Sequence, residues 1–300
     1  MPLDLEPGTL AWLAATLEPG HRVRTSTILR GGWTSRMRRL DIDGPDGSYA
    51  LVLRSFHKPF YVKHARGLLT READILRLLA ETETGIPAAR LYAVDATATH
   101  CAYPSLLMSL LPGELRLDDD QSRALARQLV DIHRLAVPEQ ARPRTYQPWT
   151  SPERVPAPTA LWQRAVDVIR REPPPYTGTF LHRDFHPGNV LFADQAITGV
   201  VDWVETSWGP ADLDVAHCAT ATALLHGADA GLRFADHYRE AGGLLGEETE
   251  DRRYWRLLDA LGFAPDAEKV AVPWRELGRT DLTPEKLTRR LTDYVAALLD

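Results

Sequence analysis

Residues 181–203 leave this chain few ways to fold. They run Leu181-His182-Arg183-Asp184-Phe185-His186-Pro187-Gly188-Asn189-Val190-Leu191-Phe192, and Val201-Asp202-Trp203 follows after a short gap. Asn189 to Phe192 and Ile197 to Val201 are short apolar runs, and Ala193-Asp194-Gln195-Ala196 between them predicts a β-hairpin. The stretch before the hairpin reads as a loop. It puts Asp184 five residues ahead of Asn189, and the hairpin is followed by a second carboxylate, Asp202.

The chain on the N-terminal side is of mixed type. Thr9 to Leu17 predicts a short leading helix. Arg22 to Leu29, Met37 to Ile42 and Tyr49 to Leu53 read as a β-meander, with Gly31-Gly32 and Gly44-Pro45-Asp46-Gly47 as its breaks. The apolar stripe Leu68, Leu69, Ile75, Leu76, Leu78 and Leu79 predicts a helix over His64 to Glu83. Two further strands are expected over Leu91 to Val94 and Ser105 to Leu111, and Pro112-Gly113 breaks the second. Asp118 to Ala136 reads as a helix with acidic residues at its start. Nine of the 22 prolines fall between Val137 and Pro175, which predicts an extended connection around a helix over Ala160 to Arg171. From Asp212 onward the pattern is mainly helical, and Leu287 to Leu299 is the last amphipathic helix.

Composition narrows the class. The 300 residues are 44% hydrophobic and 25% charged, which is globular and excludes collagen-like or disordered readings. Asp+Glu at 41 against Lys+Arg at 35 gives a net charge of −6, which argues against a dedicated nucleic-acid binder. Two cysteines, Cys101 and Cys218, make neither a disulfide framework nor a cysteine-rich zinc module. No apolar run approaches the roughly 18 residues of a membrane span. Asp4 and Glu6 stand where a signal peptide would be basic. A cytoplasmic protein with no membrane partner is expected.

The pattern His182-x-Asp184-x-x-x-x-Asn189, then a hairpin, then Val201-Asp202-Trp203, resembles the aminoglycoside phosphotransferase and choline kinase-like family. The resemblance extends to Gly209-Pro210 and Asp212-Leu213-Asp214-Val215-Ala216, and covers roughly residues 22–225. It implies an α+β, protein-kinase-like fold with a small β-rich N-lobe over residues 1–112 and a larger, mainly helical C-lobe over 113–300. The active site is expected in the cleft between them. It implies an ATP- and Mg²⁺-dependent transfer of a phosphoryl group to a hydroxyl of a small molecule. Such chemistry needs a carboxylate near the acceptor and oxygen ligands for the metal. By resemblance Asp184 is the catalytic base, and Asn189 and Asp202 hold Mg²⁺. His182 and Asp214 hold the loop, His186 packs in it or touches phosphate or metal, and Arg183 is expected to be exposed or near the substrate, without an assigned role.

In the first lobe the resemblance places the nucleotide-binding loop at Arg30-Gly31-Gly32-Trp33-Thr34-Ser35. Gly31 and Gly32 let backbone N–H groups approach phosphate, and Ser35 adds a hydroxyl. Arg54 stands where many kinases have Lys, with Glu72 as its ion-pair partner. Met108, on the strand that leads to the hinge, lines the base pocket or fills core.

The acceptor stays open between an aminoglycoside or related antibiotic and a choline- or sugar-type molecule. Residues 201–300 hold 19 Asp+Glu against 11 Lys+Arg, a net of −8, which leaves +2 for residues 1–200. An acidic acceptor region would attract a polycation, although a solvated acidic surface has the same composition. Two other readings stand beside the kinase. One is an inactive nucleotide-binding relative. The other is a zinc hydrolase using His182, Asp184 and His186, with His217 or His226 as further ligands.

Overall fold

The computed structural model describes residues 3–30, 32, 34–82 and 85–300. The chain divides into two compact units. One is Met1–Pro112 with Val201–Val204, and the other is Gly113–Val200 with Glu205–Asp300.

The first unit holds α1 (Pro7–Thr16), β1 (Arg22–Ile28), β2 (Arg36–Gly44), β3 (Gly47–Ser55), α2 (Pro59–Glu81), β4 (Leu91–Asp95) and β5 (Ser105–Ser109). The strands form an antiparallel sheet in the order β1-β2-β3-β5-β4. Register follows the apolar alternation: Leu40 pairs with Leu51, and Leu53 with Leu107. Leu13 and Leu17 of α1 close a core with Leu40, Ile42, Leu51, Leu53 and Leu107. Central strand β3 is buried from Leu51 to Ser55, and so delivers Arg54 into the interior beside α2. Helix α2 starts five residues before the expected His64. Pro59 sits in its first turn, where proline's fixed φ suits a helix start, but Phe60-Tyr61-Val62 carries little helical signal in sequence.

The second unit is built around one buried helix. Its elements are β6 (Glu114–Leu115), α3 (Ser122–His133), α4 (Ala160–Ile169), β7 (Gly178–Leu181), β8 (Val190–Ala193), β9 (Ala196–Val200) and β10 (Ser207–Pro210). Helices α5 (Ala211–His226), α6 (Ala228–Glu240), α7 (Thr249–Leu261), α8 (Glu268–Glu276) and α9 (Pro284–Leu299) follow. The expected hairpin is β8–β9; Asp194 takes φ +53°, as the first central residue of a tight hairpin turn does. It forms a sheet with β6, and β7 pairs with β10. Helix α3 begins at Ser122, not Asp118: Asp120 lies outside it and accepts the Ser122 N–H at 2.9 Å. Trp162 anchors α4 inside the proline-rich stretch.

Every residue of α5 from Asp212 to Leu225 is buried, which a helix tolerates only when neighbours cover its whole circumference. Helices α3, α6, α7 and α9 do so. The small residues Ala216, Ala219, Thr220, Ala221 and Ala223 let them approach closely. On the facing helix, a Cβ at Gly231 would lie 2.5 Å from the Ala219 carbonyl and 2.6 Å from the Ala223 Cβ. Among the described residues, no helix is long and apolar enough to cross a membrane.

Alanine at Gly231 separates packing from propensity. Helix propensity alone favours Gly231→Ala by about 1 kcal/mol. The clash with rigid α5 backbone opposes it by about 1–3 kcal/mol. Urea unfolding should therefore show Gly231→Ala no more stable than wild type, and a clear gain in midpoint would refute the close α5–α6 approach.

Candidate active site

The loop between β7 and β8 is held by a single buried carboxylate. Asp214, in the first turn of α5 and fully buried, accepts the His182 N–H on Oδ2 and the Arg183 N–H on Oδ1, each at 2.8 Å. His133 Nε2 lies 3.2 Å from the same Oδ2. Burial pushes the Asp214 carboxyl up, but the His133 hydrogen bond and nearby cationic groups outweigh it, and the group ends below the usual carboxylate range. His182 is also fully buried, and its Nδ1 accepts the Asp184 N–H at 3.2 Å. Arg183 takes φ +70°, a left-handed conformation that turns the chain sharply. It is buried, which removes the exposed alternative of the two expected for it: its guanidinium lies 4.3 Å from the Trp149 ring centroid and donates to the Gln147 carbonyl.

The turn presents Asp184 with both oxygens engaged. Asn189 Nδ2 donates to Asp184 Oδ2 at 3.0 Å and to the Asp184 carbonyl at 2.9 Å. On the other side His217 Nε2 lies 3.2 Å from Asp184 Oδ1, while His217 Nδ1 lies 3.0 Å from Oδ1 of Asp259 on α7. An ionised carboxylate only accepts, so both ring nitrogens of His217 carry hydrogen. Burial pulls the imidazole pKa down, but Asp259 and Asp184 overcome that and raise it to about 9. Burial pushes Asp184 up, yet the His217 hydrogen bond and the electrostatic pull of the His186, His217 and His182 rings hold it well below the usual range. Phe263 stacks on His217 at 5.6 Å, Trp149 meets it edge-on at 4.8 Å, and Trp274 stands against His186.

Asp184, His186 and His217 bring ligand-type atoms within 4.8 Å of one another, which is the zinc alternative in geometric form. The hydrogen bond to His186 counts against it. Gly188 N–H donates to His186 Nδ1 at 3.0 Å, so the Nε2 facing Asp184 carries that ring's hydrogen, whereas His217, its Nδ1 held by Asp259, is oriented as a ligating histidine would be. A ligating nitrogen needs a lone pair there, with its hydrogen on the far side. His186 thus presents an N–H where the cluster needs a lone pair, and Asp184 is held by hydrogen bonds from Asn189 and His217. Each donor expected for Mg²⁺ has suitable chemistry within its own unit: the Asn189 amide nitrogen is committed to Asp184, which leaves its oxygen as a hard donor, and in the first unit Asp202 carries carboxylate oxygens.

In the first unit, Arg54 is clamped between two carboxylates. Its Nη1 donates to both oxygens of Glu72 at 2.8 and 3.0 Å and to Asp202 Oδ1 at 3.1 Å. Its Nη2 reaches Asp202 Oδ2 and Thr34 Oγ1, each at 3.3 Å. Buried Arg54 Nε has no partner among the described residues. Burial pushes the Glu72 carboxyl up to about 7 against the pull of Arg54. Asp202 takes φ +63°. Gly31 lies outside the described residues. At Gly32 a Cβ would sit 2.9 Å from Met37 Cγ and run into the Ser35 carbonyl, so only glycine fits. Ser35 is buried, with its hydroxyl 3.5 Å from the Met37 sulfur, and Met108 is buried in the sheet opposite Val52 and Leu91.

The sequence suggests His217 only as a further ligand in the zinc reading, and gives Asp259 no role. A signal existed for the first: His217 is three residues after Asp214, hence on the same face of α5. The acidic surplus of residues 201–300 does not gather at this loop. Asp184 and Asp259 both bind His217, while Asp236, Glu240, Glu250, Glu268 and Asp281 pair with arginines or lysine elsewhere.

Two outcomes follow for stability. Asp214→Asn keeps one acceptor oxygen where two buried N–H groups need one each, and should cost about 2–3 kcal/mol in denaturant unfolding. His217, raised from 6.5 to about 9 in the folded chain, contributes stability that is fully present below pH 6.5 and lost as pH rises through 9. Unfolding free energy should fall across that window by at most about 1.4 kcal/mol per pH unit from this group. A His217→Gln chain with an unaltered slope would contradict the assignment.

Comparison with known proteins bears on the family and the fold. A model of the phosphotransferase enzyme family matches residues 25–258. Comparison with curated proteins gives no match. Among solved structures, the chain is similar to the macrolide 2'-phosphotransferase MphH of Brachybacterium faecium, at 18% identity and a TM-score of 0.59, covering 98% of both chains. It is similar to a putative aminoglycoside phosphotransferase of Ralstonia eutropha, at 16% identity and a TM-score of 0.64, covering 97% of this chain and 96% of that one. A third similar structure is a spectinomycin phosphotransferase in complex with ADP and spectinomycin, at 15% identity and a TM-score of 0.60, covering 99% of both. These likenesses carry the fold, α+β with a β-sheet N-terminal region and a helical C-terminal region. With a loop that presents Asp184 beside Asn189 and a family model that spans most of its length, the chain belongs to the phosphotransferase enzyme family.

Proposed function

We propose that this phosphotransferase moves the γ-phosphoryl group of ATP, with Mg²⁺, to a hydroxyl of a small antibiotic-like molecule. The observation that carries this is the Asp184 carboxylate. It is fixed by donors on both oxygens, held ionised, and 31% exposed at the side chain, so its remaining lone pairs are reachable. The similar structures add the nucleotide and the acceptor class: one holds ADP and spectinomycin, and another, an amicoumacin kinase, holds AMP-PNP and Ca²⁺. Both cysteines are buried free thiols, in keeping with a reducing, cytoplasmic setting.

In this mechanism Asp184 accepts a hydrogen bond from the acceptor hydroxyl and aims its oxygen at the γ-phosphorus. As the O–P bond forms, the bridging P–O bond breaks and its electron pair leaves with ADP. The hydroxyl proton passes to Asp184. A carboxylate held this firmly as an anion is a weak base at the start, so the proton moves late, as a loose transition state allows. The Asn189 oxygen and Asp202 would hold Mg²⁺, which when bound neutralises charge on the phosphate oxygens. The unused Arg54 Nε–H is a donor for a phosphate oxygen, and the Glu72 and Asp202 clamp fixes the guanidinium plane.

Asp184→Asn should fold, bind ATP–Mg²⁺ as wild type does, and lose about 10²–10⁴-fold in turnover. Retained activity would remove Asp184 from the mechanism. Asp202→Ala should abolish the Mg²⁺ dependence of nucleotide affinity in calorimetry, and an unaltered dependence would count against its metal role. A thermal-shift screen of ATP–Mg²⁺ with macrolides, aminoglycosides, simple amines and sugars separates the antibiotic acceptor from the choline- or sugar-type one.

A further inference from the structure

Asp184 has a neighbour that the loop itself does not supply. His217 reaches it from α5, one helical turn beyond Asp214, and is anchored at its far side by Asp259 from α7. The three groups form a line: Asp259 Oδ1, then His217 Nδ1 at 3.0 Å, then His217 Nε2, then Asp184 Oδ1 at 3.2 Å. Asp259 is buried, and its other oxygen has no partner among the described residues, so His217 is what it holds. The imidazole plane is fixed by Phe263 stacked on one face and Trp149 packed edge-on. A ring tied at both nitrogens and packed by aromatics has one orientation.

We propose that His217 is a positioning residue for phosphoryl transfer. Oriented by Asp259, its Nε2–H pins Asp184 Oδ1 and so sets the carboxylate plane in which the acceptor hydroxyl is received. The proposal rests on the phosphotransferase mechanism given above. Asn189 fixes one end of the carboxylate and His217 the other. Without the second contact, Asp184 can rotate about its Cβ–Cγ bond and lose the near-attack alignment on which this chemistry depends. His217 remains doubly protonated throughout. The acceptor's proton ends on Asp184, and no proton leaves the imidazolium.

Two amide substitutions separate positioning from mere support. Asn can place its amide nitrogen near the His217 Nδ1 position, which keeps the bond to Asp259 but cannot reach Asp184. Gln can place its amide nitrogen near Nε2, which keeps the bond to Asp184. His217→Asn should therefore lower kcat by about 10–100-fold, with KM for ATP within about twofold of wild type. His217→Gln should recover kcat to within about threefold of wild type. In an Asp184→Asn background, His217→Asn should have no further effect on the residual rate. Asp259→Asn, nearly the same shape as the native side chain, should reduce kcat less than His217→Asn and leave nucleotide affinity intact. Equal kcat values for Asn and Gln variants, or a His217→Asn enzyme at the wild-type rate while Asp184→Asn is inactive, would overturn the positioning role and leave the kinase mechanism standing. A wild-type protein that transfers phosphoryl to no acceptor would bring down the mechanism and this proposal together.

Discussion

The functional loop depends on one interaction, the fully buried carboxylate of Asp214 accepting the backbone N–H groups of His182 and Arg183. Residues 182–189 have no long strand or helix of their own to satisfy their backbone, and Arg183 adopts a left-handed φ that a non-glycine residue keeps only when its surroundings demand it. Asp214 supplies that demand from a helix start, where a negative charge is favoured. The helix can serve as the anchor because of its packing: α5 is covered on every side by neighbours that its small side chains admit closely. From this one strut Asp214 holds the loop's entry and His217, a turn later, holds its acidic side chain.

Each unit places a charged centre by the same means. In the first, Arg54 is shared by Glu72 and Asp202; in the second, His217 is shared by Asp259 and Asp184. A buried cation between two carboxylates limits the desolvation cost of all three, because each charge has a partner in low dielectric. It also fixes orientation, since planar guanidinium and imidazolium groups donate in fixed directions. In each triple one carboxylate, Glu72 or Asp259, is almost wholly buried, and the other, Asp202 or Asp184, is partly exposed. The buried acid orients the cation, and the cation orients the exposed acid.

What was legible in the sequence was local. The hairpin after Asn189, the β-meander before Arg54 and the order of Asp184, Asn189 and Asp202 rest on patterns of a few residues, and these elements appear where the patterns place them, with ends shifted by a few positions. The Arg54–Glu72 pair was legible only through resemblance, because 18 residues and two elements intervene. The Asp259–His217 link spans 42 residues and has no periodic trace. Trp149, Phe263 and Trp274 come from three distant segments that only tertiary packing assembles. The four-residue strands β7 and β10 are too short for alternation to show, and Arg183, polar and in a loop, looked exposed or near the substrate until Trp149 covered it. Net charge left the acceptor open for a similar reason: a sum over residues 201–300 cannot tell a carboxylate paired with arginine on a helix surface from one that faces a substrate.

In the proposed reaction the phosphoryl group ends on an acceptor hydroxyl and not on water. ³¹P NMR of the wild-type protein with ATP, Mg²⁺ and a panel of hydroxyl-bearing antibiotics tests it directly. A new phosphomonoester resonance that grows in step with ADP, and only when an acceptor is present, is the expected result. ADP accompanied by orthophosphate alone, at the same rate with and without every acceptor, would contradict it.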